Sequence, residues 1–154
     1  MPFEVATYAD QPAANALTLV TLGLSDVPLG APPIRQELLL AAWKADVTAS
    51  VYEALFGIGY ELLRLKTAAD YGEILELPKP IVENGSSQLL VYTPTYFDPE
   101  LEVVPDQPPI LLTWLIPLTR AETDLVLNEG LRALELRFEE ADPDLLDLER
   151  EGVV

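Results

Sequence analysis

The chain has 154 residues, the length of one domain, and a composition of 49% hydrophobic and 23% charged residues that marks a globular protein rather than a disordered one. It has no cysteine and no histidine, which excludes disulfides, thiol nucleophiles, Ser-His-Asp triads and Cys/His metal or haem sites. The 26 acidic residues against 9 basic ones leave a net charge of −17, so nucleic acid and anionic membrane are repelled and a basic protein partner is drawn in.

The first basic residue is Arg35, so the basic head of a secretory signal is missing. The longest apolar run, Ile110–Leu118, is too short to span a membrane. A cytoplasmic location follows as the expectation. The 14 prolines break the chain into short strands and loops without separating it into parts, so residues 1–154 are read as a single domain.

In chain order, residues 3–8 form a short strand, and 17–22 (LTLVTL) form a mostly buried one. A turn-rich loop follows over 23–33. The next segment, 35–43 (RQELLLAAW), fits helix or strand by periodicity, and its position after a proline-rich loop favours strand. Residues 48–66 form a helix, because Val51, Leu55, Ile58, Leu62 and Leu65 step along one face, with Thr48 or Asp46 at its start. Gly57 and Gly59 interrupt that helix at about 1 kcal/mol each against alanine, which points to close packing on a sheet. A phosphate loop is excluded, since no third glycine follows and the pair sits inside a helical pattern.

Short strands are predicted over 72–77 and 88–93. The run 110–116 (ILLTWLI) is apolar throughout except for Thr113 and predicts a central strand, covered on both faces and ended by Pro117. Thr119 and Glu122 have the spacing of a capping box. A helical stripe of Leu127, Leu131, Leu134 and Phe138 follows, with Gly130 positioned to split it in two.

Only carboxylates could serve as acid–base groups. Asp142, Asp144 and Asp147 could hold Mg²⁺ or Ca²⁺, but the glycine and terminal glutamate of a calcium loop are missing, so a solvated acidic turn is the reading and no metal or cofactor is expected. No residue is assigned a catalytic role, and the chain is read as a binding protein rather than an enzyme. Residues 139–151 nonetheless carry Glu139, Glu140, Asp142, Asp144 and Asp147 close together. Two of these lie at a predicted helix C-terminus, where anions are disfavoured, and Glu135–Glu139 is a like-charge pair one turn apart. Either the arrangement is tolerated at the surface or it meets a basic partner. Tyr92, Tyr96 and Phe97 flank a proline-rich, acidic loop and either contact such a partner or pack beneath the loop.

Several motifs, taken in order, resemble the Suppressor of fused family. Gly23-Leu24-Ser25-Asp26 follows an apolar strand, as that family's GLSD or GMSD signature does. The segment 35–43 is similar to its next strand, Gly72-Glu73 to its Gly-plus-polar pair after a helix, and 110–122 to its "FLWLIPLT-x-x-E" strand and helix start. Asp147-Leu148-Glu149-Arg150 resembles the closing D-L-x-R motif, with Gly152 where the family usually has serine. The chain begins at what looks like the family's first strand, so a preceding helical segment is absent by this reading. The resemblance implies an α+β fold, a mixed sheet with helices packed on it, and protein binding rather than catalysis. Eukaryotic members carry a second domain and grip a transcription-factor peptide between the two. Single-domain bacterial members resemble immunity proteins of polymorphic toxin systems. By the same resemblance Glu73 matches an acidic peptide contact, and Tyr60 falls near a tyrosine contact. The favoured expectation is an immunity-type protein that neutralises a toxin by direct binding, through the acidic end and Glu73. The alternative is an adaptor that binds a peptide by β-strand addition, using an open sheet edge.

Overall fold

The computed structural model describes residues 2–83, 85–95, 103–104, 106 and 108–154. The strands are β1 (Glu4–Ala9), β2 (Ala16–Leu22), β3 (Arg35–Trp43), β4 (Ile74–Glu76), β5 (Gln88–Tyr92), β6 (Val103–Val104) and β7 (Ile110–Leu118). The helices are α1 (Ala49–Leu65), α2 (Arg120–Glu129) and α3 (Leu131–Ala141). The seven described strands join one mixed sheet in the order β1-β2-β3-β7-β5-β4, with β6 paired to the first two residues of β7. The central β3–β7 pair is parallel, and the other described pairings are antiparallel.

The ambiguous segment 35–43 is a strand because both of its faces are covered. Leu38, Leu40 and Ala42 point into the core beneath α1, while Ala41 joins the core beneath α2 and α3. β7 divides the same way, with Leu115 toward α1 and Trp114, Ile116 and Leu118 toward the other helices. Helices thus lie on both faces of the sheet, the α+β arrangement expected from the sequence.

Three local expectations need correction. Pro117 does not end β7, which runs on to Leu118 with Pro117 opposite Leu89. The register with β3 stops at Trp114, so at Pro117 the strand is paired on one side alone, a setting that tolerates a missing donor. The strand predicted over 72–77 is shortened to Ile74–Glu76. The two helix glycines also differ from each other. A Cβ on Gly59 would lie 2.6 Å from Cζ of Phe3, so close packing explains that residue, whereas a Cβ on Gly57 would meet nothing within 4 Å.

The predicted helix ends hold. Thr119 and Glu122 form both bonds of the capping box, and Gly130, at φ 93°, separates α2 from α3. Thr48 occupies the N-cap position of α1 without a side-chain capping bond.

Candidate functional site

Among the described residues β4 is the last strand on its side of the sheet, and hydrogen-bond parity shows what it presents there. The Leu77 amide donates to Ser87 O (2.7 Å) and the Val91 amide donates to Glu73 O (2.9 Å). Residues 73, 75 and 77 therefore turn their backbones to β5, and Ile74 and Glu76 turn their N–H and C=O groups outward. Leu75 and Leu77 point to the α1 side, where a groove of about 860 Å³ separates β4 from the helix. Ala54, Gly57, Ile58 and Leu62 form its helical wall.

The rim is acidic. Glu53 and Glu61 of α1 and Glu73 on the approach to β4 line it together with Lys79, while the Glu76 side chain, alternating with Leu75 and Leu77, points to the opposite face. Lys79 Nζ lies 3.1 Å from Glu53, and Arg64 pairs with Glu61. The Arg64 hydrogen bond holds the Glu61 carboxyl below its ordinary range. Glu73 is exposed, and its carboxylate accepts the Asp70 amide at 3.0 Å. Glu76 is exposed and carries no hydrogen bond or ion pair among the described residues. Tyr60 is also exposed, yet it lies on α1 outside the groove wall.

The acidic end lies on the opposite face of the sheet, and several of its carboxylates have local work. Arg132 bridges Glu135 (3.3 Å) and Glu139 (2.9 Å), which offsets the like-charge pair. Glu135 also accepts the Tyr92 (2.8 Å) and Tyr71 (3.2 Å) hydroxyls. Burial pushes the Tyr92 phenol up, and its bonds to Tyr71 and Glu135 push it further. Asp144 accepts Trp43 Nε1 at 2.7 Å and the Leu146 amide at 3.1 Å, and Asp147 accepts the Glu149 amide at 2.9 Å. Glu140 and Asp142 are exposed without a side-chain bond among the described residues. Of the aromatic trio, Tyr92 is half-buried and packs beneath α3, while Tyr96 and Phe97 lie outside the described residues.

Two of the sequence motifs, 23–26 and 147–150, bond to buried carboxylates. Leu24–Asp26 form one 3₁₀ turn, entered through Gly23 at φ 101°. That turn wraps the buried Glu37 carboxylate, which accepts the Gly23 amide (2.9 Å), the Ser25 amide (3.1 Å), the Ser25 hydroxyl (2.7 Å) and the Thr21 hydroxyl. Asp26 is exposed at its end. Sequence reasoning missed Glu37, though a lone acid within the apolar run ELLLAA was a signal for it. Arg150 closes the other motif. It donates to both Glu122 oxygens (2.7 and 2.9 Å) and to Pro117 O (3.1 Å), and it lies over the Phe138 ring. Gly152 passes against Thr119, where a Cβ would stand 2.6 Å from Oγ1.

Among the described residues no cluster of three or more acidic side chains is placed to hold a metal, and no helix is long and apolar enough to cross a membrane. The family model described as Suppressor of fused protein matches residues 1–151. A suppressor of fused homolog from Neisseria gonorrhoeae superposes with a TM-score of 0.81 at 24% identity, covering 99% of this chain and 78% of that one. The Sufu–Fu complex gives 0.69 at 13% identity, covering 98% and 76%. Drosophila Suppressor of Fused gives 0.66 at 13% identity, covering 98% of this chain and 42% of that one. At these identities the likeness is one of fold. No curated protein sequence matches the chain.

Proposed function

The chain belongs to the Suppressor of fused family, and from that premise we propose that it is a non-catalytic immunity protein of the cytoplasm that neutralises a basic toxin by direct binding. A family relative solved as a complex with another protein supports the binding role. The observation that carries the contact surface is the outward row of Ile74 and Glu76 beside an acid-rimmed groove. An extended segment of the partner adds to β4 as a further strand, hydrogen-bonding to that row, with alternate side chains entering the groove. Glu73 sits on the rim and contacts a basic group of the segment. The net charge of −17, to which Glu139, Glu140, Asp142, Asp144 and Asp147 contribute, steers the encounter from a distance. Tyr60 contributes at the margin.

The test is coexpression with the toxin encoded beside it. Wild type protects the host, and Glu76→Gln protects nearly as well. Glu76→Pro, which removes an outward N–H without touching the β5 ladder, abolishes protection while the protein stays folded. Full protection by a folded Glu76→Pro rules out strand addition, and no protection by the wild type rules out the immunity role. The second reading, a regulator that takes linear peptides from several proteins, is favoured by the same backbone row, since that row recognises no side chain. Capture of isolated peptides, without a folded toxin, separates it from the first.

A further inference from the structure

We infer that the groove contains a subsite for one arginine or lysine side chain of the added strand, seated over Gly57 between Glu53 and Glu61, and that Lys79 occupies Glu53 until that side chain arrives. The inference rests on strand addition at β4, proposed above, and goes further by naming a side chain and its seat.

Glu53, Gly57 and Glu61 are spaced four residues apart and form one row on the exposed face of α1. The row therefore reads carboxylate, gap, carboxylate. The gap is real space, because a Cβ on Gly57 would meet nothing within 4 Å. Nor does packing call for that glycine, in contrast to Gly59, which faces the Phe3 ring. Ala54 and Ile58 beside the gap are apolar and suit the methylene stem of a long basic side chain. The carboxylates at either end suit its charged head.

A strand paired with Ile74 and Glu76 projects alternate side chains toward α1, level with Leu75. That is the direction of the gap. Lys79 spans from the chain beyond β4 to Glu53 at 3.1 Å, with the two side chains 64% and 61% exposed. An ion pair so open to water exchanges partners at little cost, so an incoming cation displaces Lys79 without loss of core contacts. Arg64 on Glu61 is equally exposed and yields in the same way.

Random-peptide phage display against the purified wild type, followed by fluorescence anisotropy with the selected peptides, tests this. Wild type selects extended segments with arginine or lysine at one fixed position. Replacing that residue by norleucine weakens binding about tenfold, a difference of about 1.4 kcal/mol. Lys79→Ala tightens binding several-fold by leaving Glu53 free. Gly57→Leu fills the gap and loses binding tenfold or more, while its melting temperature stays at or above that of the wild type. Selected peptides that lack a fixed basic position, or that bind Gly57→Leu as tightly as wild type, overturn the subsite and leave strand addition standing. Enrichment of no peptide on the wild type, or equal binding by folded Glu76→Pro, overturns strand addition and the subsite with it.

Discussion

Arg150→Ala should cost about 3–4 kcal/mol of unfolding free energy. The Glu122 side chain is 0% exposed and the Arg150 side chain 9% exposed, so the pair is buried. Removing one partner of a buried pair costs about 3–5 kcal/mol, because a charge is left without its counterion. Glu122 keeps the Thr119 amide at 2.8 Å and the Val153 amide at 3.1 Å, which places the loss in the lower part of that range. Against a typical domain stability of about 5–15 kcal/mol this is a large fraction. Urea denaturation at neutral pH reads it directly, and a loss under about 1 kcal/mol would refute the reasoning.

The same pair has a pH signature. Burial alone would raise the Glu122 carboxyl, but the Arg150 guanidinium and the Thr119 and Val153 amides outweigh it and hold the group below its ordinary value of 4.5. A carboxyl lowered in the folded state contributes its full stability above the unfolded value and loses it as pH falls through the folded one. The stability difference between wild type and Glu122→Gln should thus be flat from neutral pH to about pH 5 and shrink below about pH 4.5. Taking the difference matters, because Glu61 and Glu135 are held low as well.

The two helix glycines predict opposite signs. Gly57→Ala should stabilise by up to about 1 kcal/mol, and Gly59→Ala should destabilise by about 1–3 kcal/mol because its Cβ meets the Phe3 ring. Thermal and urea unfolding of both variants checks this, and equal signs would refute it. Glu37→Ala strands four donors in a buried loop and should cost about 3 kcal/mol, whereas Glu37→Gln, which keeps one oxygen acceptor, should cost less, as urea unfolding would read.

The parts legible in the sequence were those with a local cause. The stripe from Val51 to Leu65, the Thr119–Glu122 box and the split at Gly130 are each written within a few residues. Segment 35–43 was ambiguous because its apolar residues serve two cores, a fact that only the sheet reveals. The site was less legible. Glu73 was singled out by resemblance and does lie on the groove rim, but the groove joins a helix to a strand that follows it through a loop, and no spacing in the sequence encodes their separation. Gly57 and Gly59 look alike in sequence, and only the position of Phe3 tells them apart. The acidic end was read as a surface for a basic partner, and its bonds to Arg132 and Trp43 were not legible because those residues meet it only in the fold.

The position of β7 sets the order in which the protein can be made. β7 lies between β3 and β5, yet the ribosome produces it after both. Until residues 110–118 emerge, the β1–β2–β3 meander and the β4–β5 hairpin each end in an apolar strand with a bare edge, and Leu39, Leu40, Leu90 and Val91 have no sheet to close over them. Such late, long-range pairing slows folding and leaves the nascent chain exposed to edge-to-edge aggregation. A chain cut short before β7 forfeits both halves of the sheet, so the β4 edge takes shape only after residues 110–118 have been made.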